Sequence, residues 1–341
     1  MKKIRVGING FGRIGRAFLK LAWDRPEIEI VAVNDLGSLE SLSYLLKYDT
    51  VYKTWNHDIK HDAGNIIIDG KMVKFLSLKD TSKLPWKELD IDLVVESTGL
   101  FNSFEKAKFH LDQGAKKVVI SAPSKGDVGS AHGETILMGV NEEKFGTCDI
   151  TSNASCTTNA ASPLIAILFE ELGIEKAILN TVHGYTASQA LVDGPNKKDL
   201  REGRAAAENI IPSSTGAAVA VTEAFPLLAG LFDGISIRVP VPAGSIVDVT
   251  FIAKRDTSVE EINAILKKAS SLDRWKNIFS VTDEPLVSSD ILGSKYASIV
   301  DLAMTRVVGG NLVKVMAWYD NEMGYTHTLV DHVVKTGSTI L

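Results

Sequence analysis

Residues 152–159 read SNASCTTN and set a thiol, Cys156, among short polar side chains. Ser155 and the two threonines are helix-capping types, and the apolar spacing of Leu164, Ile165, Leu168 and Leu172 up to Gly173 predicts a helix that begins near Cys156. A thiol at a helix N-terminus becomes acidic, because the free amides and the dipole stabilise its anion. Pro163 leaves two geometries open: a helix kinked there, or one that begins later than Cys156. A thiolate nucleophile also needs a proton acceptor. His183 ends the apolar run AILNTVH, a predicted strand, and is followed by the loop GYTASQ, so an imidazole at a strand end could face the thiol, pair with it as thiolate and imidazolium, and shuttle protons. Each residue also has a plain structural role: free cysteine is most often a small buried apolar residue, and a lone histidine is about as often a satisfied structural one.

A second constellation lies at the start of the chain. GINGFGRIGR places Gly10, Gly12 and Gly15 directly after the apolar run KIRVGI and directly before a helix with Ile14, Phe18, Leu21 and Ala22 on one face, and Asp35 ends the next strand, IEIVAVND. Gly10 permits a tight turn, Gly12 lets backbone approach a pyrophosphate, Gly15 allows close helix packing, and the helix N-terminus offers its N–H groups to the anion. Asp35 would accept from the adenosine ribose hydroxyls and repel a 2′-phosphate, which favours NAD over NADP.

The elements that must position these groups fall into two textures. Early in the chain, strands (IEIVAVND, DLVVES, KKVVIS) alternate with helical spacing (including SFEKAKFHLDQG, closed by Gly114), which predicts a parallel sheet, and Asp69-Gly70 marks a hairpin inserted at its edge. After about residue 150 the strands lengthen (AILNTVH, ISIRVPVP, SIVDVTFIAK), a hairpin is expected at Gly309-Gly310, and SVEEINAILKKASS is a clear helix; this predicts an antiparallel or mixed sheet with helices on one face. TLVDHVVKTG puts Leu329, Val330, Val333 and Val334 on one helical face, with Gly337 as a cap. At 341 residues, 45% hydrophobic and 23% charged, two cores are the natural expectation. Two cysteines are too few for a disulfide framework and MKKIRVGING is no signal peptide, so a reducing cytoplasm is expected. No apolar run reaches a membrane span, the formal net charge of -5 shows no basic stripe for a dedicated nucleic-acid partner, and the seven histidines have no zinc-site spacing to either cysteine, so no metal is expected.

The motifs INGFGRIGR, LLKYDT, STG at 97–99, GAKKVVISAP, SNASCTTN, GRAAAENIIPSSTGAA, RVPVP, PLVSSD and WYDNEMGY, in this order, closely resemble the phosphorylating glyceraldehyde-3-phosphate dehydrogenases over nearly the whole chain. The resemblance implies an α/β fold with a Rossmann-type parallel-sheet NAD-binding domain at 1–154, a mixed or antiparallel-sheet α+β catalytic domain at 155–320, and a C-terminal helix at 321–341 that returns to the first domain. It implies oxidation of D-glyceraldehyde 3-phosphate through a Cys156 hemithioacetal and thioester, His183 taking the proton, and capture by inorganic phosphate as 1,3-bisphosphoglycerate. Thr186 and Arg238 would hold the substrate phosphate, with Arg204 assisting, and Ser155, Thr157, Thr215 and Gly216 the incoming one. Arg13 and Ile14 would line the pyrophosphate and adenine side of NAD, Ser121 and the STG turn would contact it, and Asn321 would bond the nicotinamide carboxamide. A homotetramer is implied, with the loop at 185–211 approaching a neighbouring subunit's NAD. Pro195 in that loop, like Asp35, goes with NAD preference. Departures from the family pattern are Ala160, where a second cysteine is frequent, Val219 and Met323. An erythrose-4-phosphate dehydrogenase would share Cys156 and His183, but Thr186 in HGYTASQ favours the triose enzyme; a water-using aldehyde dehydrogenase would not need Thr215 and Gly216; and a noncatalytic NAD-binding regulator would not need Cys156 and His183.

Overall fold

The computed structural model describes residues 2–124, 133–197 and 199–340. His132, one of the histidines weighed above, and Lys198 of the loop at 185–211 lie outside them. The chain divides into two units. Met1–Ile136, Glu142–Ala154 and Thr326–Leu341 form the first, and Leu137–Asn141 with Ser155–Tyr325 the second.

The first unit is built on strand Ile4–Asn9, whose apolar residues are sealed because parallel neighbours flank it on both sides, Ile28–Asn34 and Leu93–Glu96. Lys117–Ile120, Ile150–Ser152 and Gly133–Thr135 extend the sheet in parallel beyond Leu93–Glu96, and Lys71–Leu76 extends it in parallel beyond Ile28–Asn34. Strand order therefore reverses at Ile4–Asn9, and a crevice opens at the carboxyl ends where the connections diverge, just where the glycines follow Asn9. The hairpin at Asp69-Gly70 is present, both residues having positive φ (49° and 79°), as a two-residue primed turn requires. It lies at the edge of the sheet as expected, and its second strand, Lys71–Leu76, pairs with both Asn65–Ile68 and Ile28–Asn34.

Two other expectations are corrected here. SFEKAKFHLDQG forms two single turns, Phe104–Ala107 and Phe109–Asp112, rather than one helix. The break falls where the Lys108 and Leu111 amides bond three residues back, and His110 is drawn inward by buried partners. Gly337 is no cap: helix Met323–Ser338 runs through it, and a Cβ there would lie 2.4 Å from the Ile4 side chain. Its lack of a side chain serves close packing on the first strand, while Leu329, Val330 and Val333 are buried as the helical spacing predicted.

The second unit holds an eight-stranded mixed sheet. Its central strands Ile174–Gly184, Ser245–Ala253 and Leu312–Tyr319 are antiparallel, while Phe232–Val239 runs parallel to Ile174–Gly184. Helices Cys156–Leu172, Ala217–Ala224 and Val259–Ser270 pack on this sheet. Strand alternation then fixes direction. Leu179, Thr181 and His183 are buried, whereas Ile178, which precedes them on the opposite face, is 57% exposed. Helix Cys156–Leu172 is apolar around most of its circumference because it lies in the core, with Leu164, Ile165 and Leu168 fully buried. Burial of each such side chain contributes about 1.5–3 kcal/mol. The helix begins at Cys156 and carries Pro163 in its interior, which settles the choice Pro163 left open.

Candidate active site

The first unit carries the glycine turn. Gly10 has φ +95°, and a Cβ there would lie 2.6 Å from the backbone of Ser97 and Thr98. Gly15 is tighter, its Cβ position being 2.1 Å from the Gly10 carbonyl oxygen. Gly12 is different: nothing lies within 4 Å of its Cβ position, and it is the N-cap of helix Arg13–Ala22 with no side-chain cap. Two glycines are thus filled by the protein and the third is open, with helix amides beside it, which is the shape an incoming pyrophosphate requires. Asp35 accepts from the Phe11 amide (2.6 Å) and the Gly37 amide (2.8 Å), so it ties the end of its strand to the glycine turn. The Arg13 guanidinium pairs with Asp49 at 2.9 Å, so the side chain expected along the pyrophosphate and adenine is held by a carboxylate, while Ile14 is half-buried. Ser121 follows strand Lys117–Ile120 and donates its amide to the Glu96 carbonyl (2.9 Å). The Ser97 hydroxyl donates to the Gly10 carbonyl (2.7 Å), joining the STG turn to the glycines.

In the second unit, Cys156 Sγ lies 3.4 Å from His183 Nε2. Ser155 caps the helix through its hydroxyl, which accepts from the Thr158 amide at 3.1 Å. His183 Nδ1 bonds the Gly184 carbonyl at 2.6 Å. A carbonyl only accepts, so the ring proton sits on Nδ1, and the Nε2 lone pair faces the thiol. The electrostatics depart from the expected thiolate and imidazolium. Burial pushes the Cys156 thiol up, against the opposing effects of Arg238 and Thr157. Burial and the adjacent Arg238 guanidinium push His183 down to about 3. The helix N-terminus alone therefore does not acidify this thiol, and the surroundings favour a neutral thiol donating to a neutral imidazole.

Arg238 is the register partner of His183 on the neighbouring parallel strand. One guanidinium nitrogen approaches the Gly184 carbonyl (3.5 Å), while its Nε is buried without a protein partner. Thr186, in the loop just after the His183 strand, bonds Ser188 (3.0 Å). Thr215 accepts from the Ala217 amide (3.2 Å), and Gly216 begins helix Ala217–Ala224 with no side-chain cap. Asn321 Oδ1 accepts from the Gly244 amide (2.9 Å), which leaves Nδ2 as its donor toward a ligand carbonyl. Arg204 pairs with Asp193 on the surface instead of joining Arg238. The Thr157 hydroxyl, expected at the incoming phosphate, is buried and bonded to the Tyr319 hydroxyl at 2.9 Å.

Two family models match the chain, one described as the glyceraldehyde 3-phosphate dehydrogenase NAD binding domain over residues 4–104 and the other as its C-terminal domain over residues 155–321. The chain is 48% identical to glyceraldehyde-3-phosphate dehydrogenase of Thermotoga maritima over 96% of its length and 97% of that protein's. It is 46% identical to glyceraldehyde-3-phosphate dehydrogenase 2 of Streptomyces avermitilis over 99% of both, and 46% identical to the Geobacillus stearothermophilus enzyme over 96% of both. The chain belongs to the glyceraldehyde-3-phosphate dehydrogenase family. It is an NAD-dependent oxidoreductase that acts on glyceraldehyde 3-phosphate, with the α/β architecture expected from its sequence. No helix among the described residues is long and apolar enough to cross a membrane.

The sequence reading of this dehydrogenase missed the residues that hold the site from behind. Tyr319 and Thr181 lie behind Cys156 and His183, and Asn9, Glu96 and His110 lie beneath the STG turn. For Tyr319 a trace was present: it ends a strand in which Val313, Val315 and Ala317 point inward, so alternation points its hydroxyl into the core as well.

Proposed function

We propose that Cys156 is the nucleophile and His183 the base of this dehydrogenase, and that the acyl group leaves as an acyl phosphate. The observation that carries this reading is the 3.4 Å approach of Nε2 to Sγ with Nδ1 committed to Gly184. Nε2 takes the thiol proton as Sγ bonds the aldehyde carbon, giving a hemithioacetal, and the Cys156 amide and His183 donate to the oxygen that becomes negative. His183 then receives the hemithioacetal hydroxyl proton as the carbon is oxidised to a thioester. Bound NAD supplies the hydride acceptor for that oxidation. Gly10, Gly12, Arg13, Ile14, Gly15, Asp35, Ser121 and Asn321 would hold it, and the open Gly12 beside uncapped amides supports the fit. An oxygen of inorganic phosphate attacks the thioester carbonyl, the carbon–sulfur bond breaks, and the thiolate recovers its proton from His183. The product is 1,3-bisphosphoglycerate.

Two anion sites serve these steps. Arg238, with its unpartnered Nε, and Thr186 hold the substrate phosphate. Ser155, the Thr157 amide, Thr215 and Gly216 receive the incoming phosphate, which is supported by two helix N-terminal turns in this set. The enzyme works as a cytoplasmic homotetramer in this reading. Support comes from apolar side chains left open to solvent in one copy: Ile178 (57%) and Ile235 (51%) on the outer sheet face, and Leu191 (82%) and Leu200 (84%) in the loop at 185–211.

The test is NAD reduction by purified protein with D-glyceraldehyde 3-phosphate, with and without inorganic phosphate. Fast reduction that requires phosphate and disappears in Cys156→Ser is the expected result. Reduction indifferent to phosphate, or surviving the substitution, would sink the reading. His183→Asn should slow turnover by about 10²–10⁴-fold.

A further inference from the structure

Behind the Cys156–His183 pair lies a hydroxyl chain that the reaction itself does not use. Tyr319 is 1% exposed and ends strand Leu312–Tyr319. Its hydroxyl bonds the Thr157 hydroxyl at 2.9 Å and the Thr181 hydroxyl at 2.8 Å. Thr157 follows Cys156 in the first helical turn, and Thr181 precedes His183 on the same inward face of strand Ile174–Gly184. The Tyr319 ring stands edge-on to the His183 imidazole, centroids 5.9 Å apart at 74°. Proton counting gives the chain a direction. Thr181 donates to the Ile246 carbonyl (3.4 Å), so it accepts from Tyr319, which in turn accepts from Thr157.

We infer that Tyr319 is a positioning residue for the reaction: its hydroxyl clamps the first turn of the Cys156 helix to the His183 strand and thereby sets the Sγ–Nε2 separation. This inference rests on the reading of Cys156 and His183 given above. Without the clamp, the hydrogen bond that joins the two groups is the thiol–imidazole bond itself, which is weak because S–H is a poor donor. Both threonine hydroxyls are buried, at 4% and 1% exposure, so losing the Tyr319 oxygen takes a partner from each, although Thr181 keeps the Ile246 carbonyl.

The experiment reads the thiol rather than turnover. Alkylation of Cys156 by iodoacetamide is followed against pH in the chain without NAD or aldehyde, for wild type, Tyr319→Phe, Thr181→Val and Thr181→Ser. Besides Cys156, the groups that face the pair and titrate or carry charge are His183, Arg238 and Tyr319, and only the last is changed. Tyr319→Phe and Thr181→Val should lower the alkylation rate near neutral pH by about tenfold or more and displace its pH profile, with kcat falling and KM for the aldehyde little altered. Thr181→Ser, which keeps the hydroxyl, should retain the wild-type profile. Wild-type profiles in both Tyr319→Phe and Thr181→Val would overturn the inference, as would an equal loss in Thr181→Ser. Should Tyr319→Phe fail to fold, the contrast between Thr181→Val and Thr181→Ser decides alone. A wild-type chain with no phosphate-dependent NAD reduction would defeat the proposed function and leave these profiles readable.

Discussion

At Gly15 any side chain meets the Gly10 carbonyl oxygen, 2.1 Å from the Cβ position, so Gly15→Ala must push helix Arg13–Ala22 off the turn it abuts. NAD affinity should fall at least about tenfold in that variant, and fluorescence titration would show it; unchanged binding would mean that the helix N-terminus does not meet the cofactor. Asp35 has a double task, because both its oxygens accept backbone amides of the turns around it. Asp35→Ala should therefore raise NADP use while also weakening NAD, by about 1–3 kcal/mol for the lost bonds, a pattern that steady-state KM values for the two cofactors would reveal. The glycines, Cys156 and His183 were legible because their identities are unusual for their positions: a glycine run at a strand end, a thiol in a capping sequence, an imidazole closing an apolar strand. The protonation of the pair was not. Helix position argued for an acidic thiol, whereas burial, which depends on how the whole unit packs, pushes it the other way and outweighs the lowering effect of Arg238.

Elements show the same division between local and distant causes. Ser155→Ala should destabilise by about 1 kcal/mol through loss of the helix cap, a shift measurable by urea denaturation. A larger loss is expected where the turn Phe109–Asp112 is pulled inward. Trp86 donates its indole N–H to His110 Nδ1 (2.9 Å), His110 Nε2 donates to Glu96 (2.9 Å), and Glu96 also takes the Asn9 amide (2.6 Å) and the Thr98 amide (2.9 Å). His110→Ala would take one donor from buried Glu96 and leave the Trp86 indole N–H without its acceptor, at about 1–3 kcal/mol for each group; a cost near that of a surface substitution would show the network to be dispensable. The parallel sheet and the Asp69-Gly70 turn followed from local pattern. The broken helix at 104–112 did not, because its cause is a carboxyl group on strand Leu93–Glu96.

Over the whole molecule, histidines that fold in the neutral form contribute to acid sensitivity, beside carboxylates such as Asp49 and Asp92 that are held below their ordinary range. His332 is fully buried, bonded to Thr151 (2.7 Å) and Asn153 (3.2 Å), and pushed down to about 3 by burial, as His183 is. The free value is 6.5, so as pH falls the unfolded chain binds these protons first. Stability is complete above about pH 6.5 and is lost as pH drops toward 3, by up to about 1.4 kcal/mol per unit for each such group. His332→Gln should flatten the curve of urea midpoint against pH by about one proton; an unchanged slope would place the sensitivity elsewhere. A two-textured chain was visible in the strand and helix alternation, but not that residues 137–141 join the second unit, since nothing in their composition marks them. Helix Met323–Ser338 packs Gly337 against Ile4, and Asp331 pairs with Arg25 at 2.9 Å. The NAD-binding unit is thus begun by residues that leave the ribosome before the second unit and finished by residues 326–340, which emerge only after it. During synthesis its opening strand waits with one apolar flank uncovered, a long exposure for chaperones to shield, and the unit begun before the other is completed after it.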